Sequence, residues 1–358
     1  MKIEKVQGIG FFQKYLSVWV LLCMAAGVLI GKFLPGIPAF LNHFEYAKVS
    51  IPVAVLIWIM IYPMMMKVDF NSIKNVGENP KGLYVTWIAN WLIKPFTMYA
   101  IASFFLYVVF QDLIPHDLAK QYLAGAILLG AAPCTAMVFV WSLLTKGNPA
   151  YTVLQVATND LIILVAFVPI VKFLLGVSNV SVPWDTLFLS VILFVVIPLT
   201  GGILTRLFII RRSGFEYFEK QFLPKFDHAT IAGLLLTLIL LFSFQGEIIL
   251  NNPLHILLIA IPLIIQTFLI FFLSYLPCKW LRLPYDIAAP ASMIAASNFF
   301  ELSVAVAIAL FGTTSPAALA TTVGVLTEVP TMLILVSIAN KTKHWFPQSA
   351  SIHKGQEI

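Results

Sequence analysis

Charged residues are scarce in this chain, and their scarcity excludes most classes of soluble protein. Only 11% of the 358 residues are Asp, Glu, Lys or Arg, whereas 60% are hydrophobic. Soluble domains carry roughly 25% charged residues. The stretches between the apolar runs are too short for a large soluble domain. We therefore expect a polytopic membrane protein, with residues 1–358 forming a single integral membrane domain.

Cysteine is also rare, and familiar catalytic motifs are missing. Cys23, Cys134 and Cys278 lie far apart without a CxxC pair, so they indicate neither a disulfide framework nor a zinc site. The six histidines fall in loops or near the ends of apolar runs, which argues against a histidine proton relay. No Walker loop, Rossmann fingerprint, HExxH or nucleophile elbow is present. We expect no cofactor and no enzyme activity, and an energy source other than an internal ATPase.

Long apolar runs are what the chain has instead. A helix needs about 20 apolar residues to cross a bilayer. The predicted spans lie near 15–34, 46–66, 83–110, 120–144, 149–175, 185–210, 228–249, 253–277, 285–311 and 314–340. The fold class that follows is an all-α polytopic membrane protein with ten transmembrane helices.

The positive charges agree with this count. With the N-terminus in the cytoplasm, 17 of the 22 Lys and Arg residues fall on the cytoplasmic side. Only Lys32, Lys48, Lys120 and Lys172 fall on the other side, and Lys94 lies inside span three. The net charge of +6 is thus explained by topology rather than by nucleic acid binding. We predict a multi-pass protein of the cell membrane with both termini in the cytoplasm.

The two halves of the chain, near 15–175 and 185–340, share a weak repeat at an offset of 167 residues. The offset superposes Cys134 on Glu301, although chance similarity between apolar segments is the alternative. Because each half holds five spans, an odd number, the halves must have opposite orientations in the membrane. Inverted repeats are typical of transporters, whose substrate site lies where broken helices of the two halves meet.

Cys134 is the residue with the most distinctive chemistry, because it follows Pro133 in the middle of predicted span four. Proline cannot donate a backbone hydrogen bond and disturbs a helix. We predict a broken helix with the thiol at the N-terminus of its second half, where the helix dipole favours the thiolate. Thiolates prefer soft centres. A single sulfur suits transient binding of a soft metalloid such as trivalent arsenic better than chelation of a metal cation.

Two groups of polar residues within predicted spans are further candidates, because ionisable groups at membrane depth are usually functional. Glu301 shares a polar break with Ser297 and Asn298. It is either a proton carrier, since a carboxyl in a low-dielectric site can exchange protons near neutral pH, or a structural carboxylate. Asp160 follows Asn159 in span five. This pair either binds a cation or ties spans four and five together.

Three more residues in the spans have two interpretations each. Glu328 is either a buried partner of Lys94 or a partner of another donor. Lys94 is more simply explained as a structural counter-charge, or as a side chain that reaches toward the membrane surface. Trp141 lies seven residues after Cys134. It either lines the pathway or anchors the helix at the interface.

Four segments of the chain resemble the Acr-type arsenite efflux permeases, which belong to the superfamily of bile acid:sodium symporters. The segments are 130–141 (GAAPCTAMVFVW), 297–307 (SNFFELSVAVA), 61–68 (IYPMMMKV) and 157–160 (ATND). The resemblance covers nearly the whole chain, and the first two segments are specific. It implies ten helices arranged as a panel domain and a core domain, with broken helices four and nine crossing.

The resemblance also implies the activity and the site. It implies export of trivalent arsenic in exchange for protons, with Cys134 as the essential thiol and Glu301 as the essential carboxylate. Asn159, Trp141 and Glu328 match positions that are functional in the family.

We therefore predict an arsenite/proton antiporter that confers arsenic resistance, with arsenite, protons and the lipid bilayer as its partners. The predicted substrate contacts are Cys134 (a transient ligand of the metalloid), Glu301, Asn159, Asn298 and Trp141. The predicted proton-coupling residues are Glu301, Asp160 and Glu328.

Several alternatives stay open at this point. Pro133 stands where some members of the family carry arginine, so transport of antimonite is undecided. A sodium-coupled organic-anion symporter of the same fold, a passive channel and a membrane sensor are the competing functions. The sequence gives no indication of the oligomeric state.

Overall fold

The computed structural model describes residues 16–46, 49–67, 80–135, 137–251 and 253–347. This part of the chain is almost entirely helical. Both termini, which are predicted to be cytoplasmic, lie outside the described residues. So do six of the lysines that enter the charge asymmetry, namely Lys2, Lys5, Lys14, Lys48, Lys74 and Lys354.

Helices account for nearly all of the described residues, and the strands found there form one two-stranded sheet. The first half forms α1 (Leu16–Phe33), α2 (Gly36–Asn42), β1 (Glu45–Tyr46), β2 (Val49–Ser50), α3 (Ile51–Lys67), α4 (Pro80–Trp87), α5 (Lys94–Phe104), α6 (His116–Ala131), α7 (Val138–Leu144) and α8 (Pro149–Val177). The second half forms α9 (Trp184–Val191), α10 (Ile197–Ser213), α11 (Phe215–Tyr217), α12 (Asp227–Asn251), α13 (Pro253–Trp280), α14 (Tyr285–Ala296), α15 (Phe300–Phe311) and α16 (Pro316–Lys341). The two short strands pair antiparallel.

Wider π-helical turns join several of these helices into longer rods. They lie at Ile88–Ile93, Phe105–Val109, Ile192–Val196 and Phe218–Phe222. Short 3-10 turns lie at Leu223–Phe226 and Lys343–Trp345. Two of the π turns end just before a proline, Pro95 or Pro198, which cannot supply the backbone N–H that a regular helix needs there.

Six helical stretches in the described part of the chain are long and apolar enough to cross a membrane. They are Pro80–Val109, Pro149–Val177, Trp184–Ser213, Phe215–Gly246, Pro253–Trp280 and Pro316–Lys341. Shorter apolar helices lie at Leu21–Phe33, Ile51–Lys67 and Phe300–Phe311. Predicted spans four and nine are each two helices rather than one. Residues 132–137 separate α6 from α7, and residues 297–299 separate α14 from α15.

The helix that follows each broken pair begins with a side-chain N-cap and a proline. The side chain of Asn148 caps α8 by accepting from the N–H of Tyr151 at 3.1 Å. The side chain of Ser315 caps α16 by accepting from the N–H of Ala318 at 3.2 Å. A proline occupies the first helical position in both cases. Such caps satisfy N–H groups that have no partner within the helix.

The helices pack in two groups. The panel group consists of α1, α3, α10 and α12, with α12 against α1 and α3, and α3 against α10. The core group consists of α5, α6, α13, α14 and α16. Within it, Gly125 of α6 lies so close to α16 that a Cβ atom there would meet the Cβ of Ala320 at 2.7 Å. The core group holds the first halves of both broken pairs, and it therefore positions the candidate site.

Candidate functional site

The two helix breaks meet and pair as short extended segments. The N–H of Phe299 donates to the carbonyl of Ala132 at 2.8 Å, and the N–H of Cys134 donates to the carbonyl of Ser297 at 3.3 Å. Pro133 and Asn298 form an antiparallel bridge between these bonds. The pairing gives partners to backbone groups that the breaks remove from their helices. We call residues 132–135 and 297–299 the crossover, and the predicted break of spans four and nine is confirmed.

Cys134 lies within the crossover, and its side chain is fully buried. The predicted position of the thiol at the N-terminus of the second half-helix is wrong, because α7 does not begin until Val138, four residues after Cys134. The dipole of a helix acts mainly within its first turn, so it contributes little at Cys134. The Lys94 ammonium interacts electrostatically with this thiol.

Glu301 occupies the first turn of α15, directly after the second extended segment. The side chain is only 2% exposed, and its Oε2 atom has no hydrogen-bond partner among the residues that the structure describes. Its carboxyl group interacts electrostatically with that of Glu328. Two buried carboxyl groups therefore share this end of the crossover.

Glu328 links the crossover to α16. Its Oε1 atom accepts from the Ser297 hydroxyl at 2.5 Å and from the backbone N–H of Asn298 at 3.1 Å. Its Oε2 atom has no partner in the described part of the chain. The sequence left open whether Glu328 is a partner of Lys94 or of another donor. The structure shows both, because Glu328 accepts from Ser297 and Asn298 and also interacts electrostatically with Lys94.

Lys94 contacts the break between α14 and α15, which the sequence did not indicate. Its side chain is fully buried, and Nζ donates to the carbonyl of Ser297 at 2.5 Å. The side chain does not reach toward a membrane surface, so that interpretation is wrong. The local signal that could have located it is Pro95, which widens the preceding turn and fixes where α5 begins.

Asn159 and Asp160 lie on α8, and Asn159 contacts the π turn Ile88–Ile93 that precedes Lys94. Trp91 donates from Nε1 to Oδ1 of Asn159 at 3.4 Å. Trp91 is three residues before Lys94, the first residue of α5, so one continuous segment contacts both Asn159 and the crossover. Nδ2 of Asn159 and both carboxyl oxygens of Asp160 are buried without a hydrogen-bond partner within the described ranges. Both polar atoms of the Gln155 side chain are likewise buried without a partner among these residues, and Gln155 is not one of the predicted site residues.

The remaining predicted contacts are also buried. Trp141 on α7 is 1% exposed, which rules out an anchoring position at a membrane surface. Its Nε1, like Oδ1 of Asn298 and Oγ1 of Thr135, has no partner among the residues described. Buried polar atoms without partners are rare and need an explanation, such as water or a ligand. Several such atoms therefore lie in or near the crossover.

The other two cysteines lie elsewhere, and none of the three forms a disulfide. Cys23 is on α1 in the panel group, and Cys278 is near the end of α13. No group of three or more His, Cys, Asp or Glu side chains that could hold a metal ion occurs in the part of the chain described here. The crossover thus contains one sulfur, together with polar atoms of Thr135 and Asn298 that lack partners among the described residues, and a single sulfur suits a centre that needs few soft ligands.

A cavity of about 360 Å³ lies between the two walls formed by α7–α8 and by α3, α10 and the turns after α11. The residues that line it are Lys67, Phe139, Val153, Arg206, Phe215, Phe218, Glu219, Leu223 and Pro224. Phe139 belongs to the same short helix as Trp141. The cavity therefore opens beside the helix that leads to Cys134.

Comparison with known proteins gives one family and several close relatives. The model of the Sodium Bile acid symporter family matches residues 54–252. The Arsenical-resistance protein Acr3 of Alkaliphilus metalliredigens is 64% identical over 348 residues, which cover 97% of this chain and 98% of that protein. An uncharacterised transporter of Synechocystis is 48% identical over 95% of this chain and 91% of its own. The Acr3 protein of Corynebacterium glutamicum is 35% identical over 92% of this chain and 88% of its own.

Proposed function

The chain belongs to the Sodium Bile acid symporter family, and on that premise we propose that it exports arsenite from the cell in exchange for protons and so confers arsenic resistance. It is a membrane-embedded transporter and not an enzyme. The observation that carries the proposal is the pairing of the backbone at Pro133, which directly precedes Cys134, with the backbone at Asn298, three residues before Glu301. It occurs in a chain 64% identical to a protein named for arsenical resistance.

We propose that the protein has ten transmembrane helices in two inverted five-helix repeats. The caps of α8 and α16 support this, because Asn148 and Ser315 are separated by the offset of 167 residues that also relates Cys134 to Glu301. The packing of the panel group supports it too. The contact of α1 with α12 and that of α3 with α10 are equivalent pairs under such a repeat. The protein would lie in the cell membrane with both termini in the cytoplasm.

The chemistry of binding follows from the single sulfur. Arsenite is present at neutral pH as arsenous acid, a neutral arsenic centre with three hydroxyl groups. The Cys134 sulfur forms one As–S bond, one As–OH bond breaks, and the thiol proton leaves with that hydroxyl as water. The two remaining hydroxyl groups donate to or accept from the buried atoms that lack partners, including Oδ1 of Asn298, Nδ2 of Asn159 and Oε2 of Glu301. One covalent bond is weak enough to reverse, as transport requires.

Proton coupling is proposed to depend on the carboxyl groups. Glu301 lies in the first turn of α15, directly after the break, and we assign to it the proton that is exchanged for the arsenic species. Asp160 is a further candidate, because both of its oxygens are buried without a hydrogen-bond partner within the described ranges. Binding of metalloid at Cys134 and of a proton at Glu301 would then exclude each other.

Everted membrane vesicles test the proposed function. In such vesicles export becomes uptake, so an imposed acidic interior should drive accumulation of arsenite, and collapsing the gradient should abolish it. The assay is repeated with antimonite, whose accumulation would extend the substrate range to both metalloids. Equal rates of arsenite uptake with and without the proton gradient would indicate a channel and would refute antiport.

The sodium-coupled organic-anion symporter is the competing function, because it shares the family. It needs no thiol. Sodium-dependent uptake of an organic anion that survives Cys134→Ala, without transport of arsenite, would favour that function over the one proposed here.

A further inference from the structure

Lys94 is a fully buried lysine in a membrane-embedded protein, a costly arrangement that requires compensation. It is held there by the local fold. Pro95 follows it directly, and the π turn Ile88–Ile93 precedes it. Such turns insert an extra residue into a helix and are frequent at functional sites. The position of the side chain is thus built into the start of α5.

The Lys94 ammonium is held at the break between α14 and α15. Nζ donates to the carbonyl of Ser297, a group freed by the break between α14 and α15. The ammonium also interacts electrostatically with the carboxylate of Glu328 on α16 and with Cys134. The Ser297 hydroxyl in turn donates to Glu328. A buried ammonium that donates to the Ser297 carbonyl, beside a carboxylate that is hydrogen-bonded to the same residue, stands where a monovalent metal ion could otherwise balance the charge.

We propose that the Lys94 ammonium is the built-in cation of the crossover. It occupies the place where a free monovalent cation would bind, and it makes transport independent of any cation other than the proton. Because the ammonium is covalently attached, it is present at every stage of the transport cycle, whereas a dissolved ion would have to bind in each cycle. The inference rests on the proposed function only in treating the crossover as the transport site.

The physical reason is charge balance. Removing the ammonium leaves the Glu328 carboxylate and the Ser297 carbonyl buried without their cation, and an uncompensated buried charge is strongly unfavourable. A small cation of the right size should then enter the vacated place. Propylammonium is the fragment that Lys94→Ala deletes, so it is the matching probe, and sodium is the second probe.

The first experiment measures thermal unfolding of the purified full-length protein in detergent. Propylammonium chloride should raise the Tm of Lys94→Ala by mass action and leave the wild type unchanged. Lys172→Ala is the matched control. Lys172 is a partly buried lysine whose Nζ also donates to a backbone carbonyl, that of Val182, but it lies near the end of α8, away from the crossover. Its Tm should not respond to the amine.

The second experiment measures arsenite accumulation in everted vesicles. The wild type should transport equally well when sodium is replaced by choline. Lys94→Ala should lose most of the transport rate, because the buried negative charge at the crossover is then uncompensated, and propylammonium should restore part of the rate. Lys172→Ala should match the wild type.

Three results would overturn the inference. They are wild-type transport that requires sodium, Lys94→Ala transport at the wild-type rate, and a folded Lys94→Ala protein whose Tm responds to neither propylammonium nor sodium. If the wild type accumulates no arsenite at all, the proposed function fails, and the Tm measurement still decides the role of Lys94.

Discussion

Glu328→Gln is the substitution whose effect follows most directly from the contacts of the crossover. Glu328 is 5% exposed, and one of its oxygens accepts from the Ser297 hydroxyl and from the Asn298 N–H. Glutamine keeps the shape and one acceptor oxygen but loses the charge. The substitution therefore changes the strength of two hydrogen bonds without removing their geometry.

The size of the effect follows from those two bonds. A hydrogen bond to a charged group contributes about 1.5–3 kcal/mol and a neutral one about 0.5–1.5 kcal/mol. Converting both bonds to neutral ones should cost about 2–3 kcal/mol of the free energy of unfolding. Both substitutions remove the negative charge that Lys94 faces, and Glu328→Ala should cost more still, because Ser297 and Asn298 then keep buried donors without an acceptor.

Reversible unfolding by SDS in mixed micelles measures these differences. The control is Glu216→Gln. Glu216 is an exposed glutamate that pairs with Lys220 at 2.9 Å one helical turn away, and its substitution should leave stability unchanged because exposed pairs contribute little. Equal stabilities of Glu328→Gln, Glu216→Gln and the wild type would refute the assignment of Glu328 as the link between α16 and the crossover.

Three further predictions test other parts of the structure. Gly125→Ala should destabilise the protein by about 1–3 kcal/mol, because the new methyl group would overlap the Ala317 carbonyl. Gly176→Ala, which meets nothing within 4 Å, should not destabilise it in the same unfolding assay. Asn148→Ala should cost about 1 kcal/mol through loss of the α8 cap, and an unchanged unfolding midpoint would contradict the cap. Asp160→Asn should keep the wild-type stability, because no hydrogen bond to the carboxylate occurs among the described residues, but it should lower proton-driven arsenite uptake in vesicles. Wild-type uptake would remove Asp160 from the coupling residues.

The features that the sequence predicted well are those with a local cause. The break at Cys134 follows from Pro133, and the polar run at Ser297 and Asn298 indicated the second break. The starts of α8 and α16 follow from capping side chains and the prolines after them. The long apolar helices follow from composition. Each of these requires only neighbouring residues.

The features that the sequence did not predict depend on tertiary contacts. The thiol of Cys134 was expected at a helix N-terminus, but pairing of Pro133 with Asn298 offers the backbone an extended alternative, and α7 begins later. The role of Lys94 depends on residues more than two hundred positions away in the chain, such as Ser297. The contact of Trp91 with Asn159 is likewise non-local. Hydrophobic patterning contains no information about such pairs.

The central claim is that Cys134 binds the arsenic and Glu301 exchanges the proton at one crossover. The most direct measurement is arsenite accumulation by everted vesicles with an acidic interior, recorded together with the loss of internal protons. Wild type and Cys23→Ser, a control thiol in the panel group, should accumulate arsenite and release protons together. Cys134→Ser and Glu301→Gln should do neither. Accumulation with proton release at the wild-type rate in either of these two variants would contradict the account.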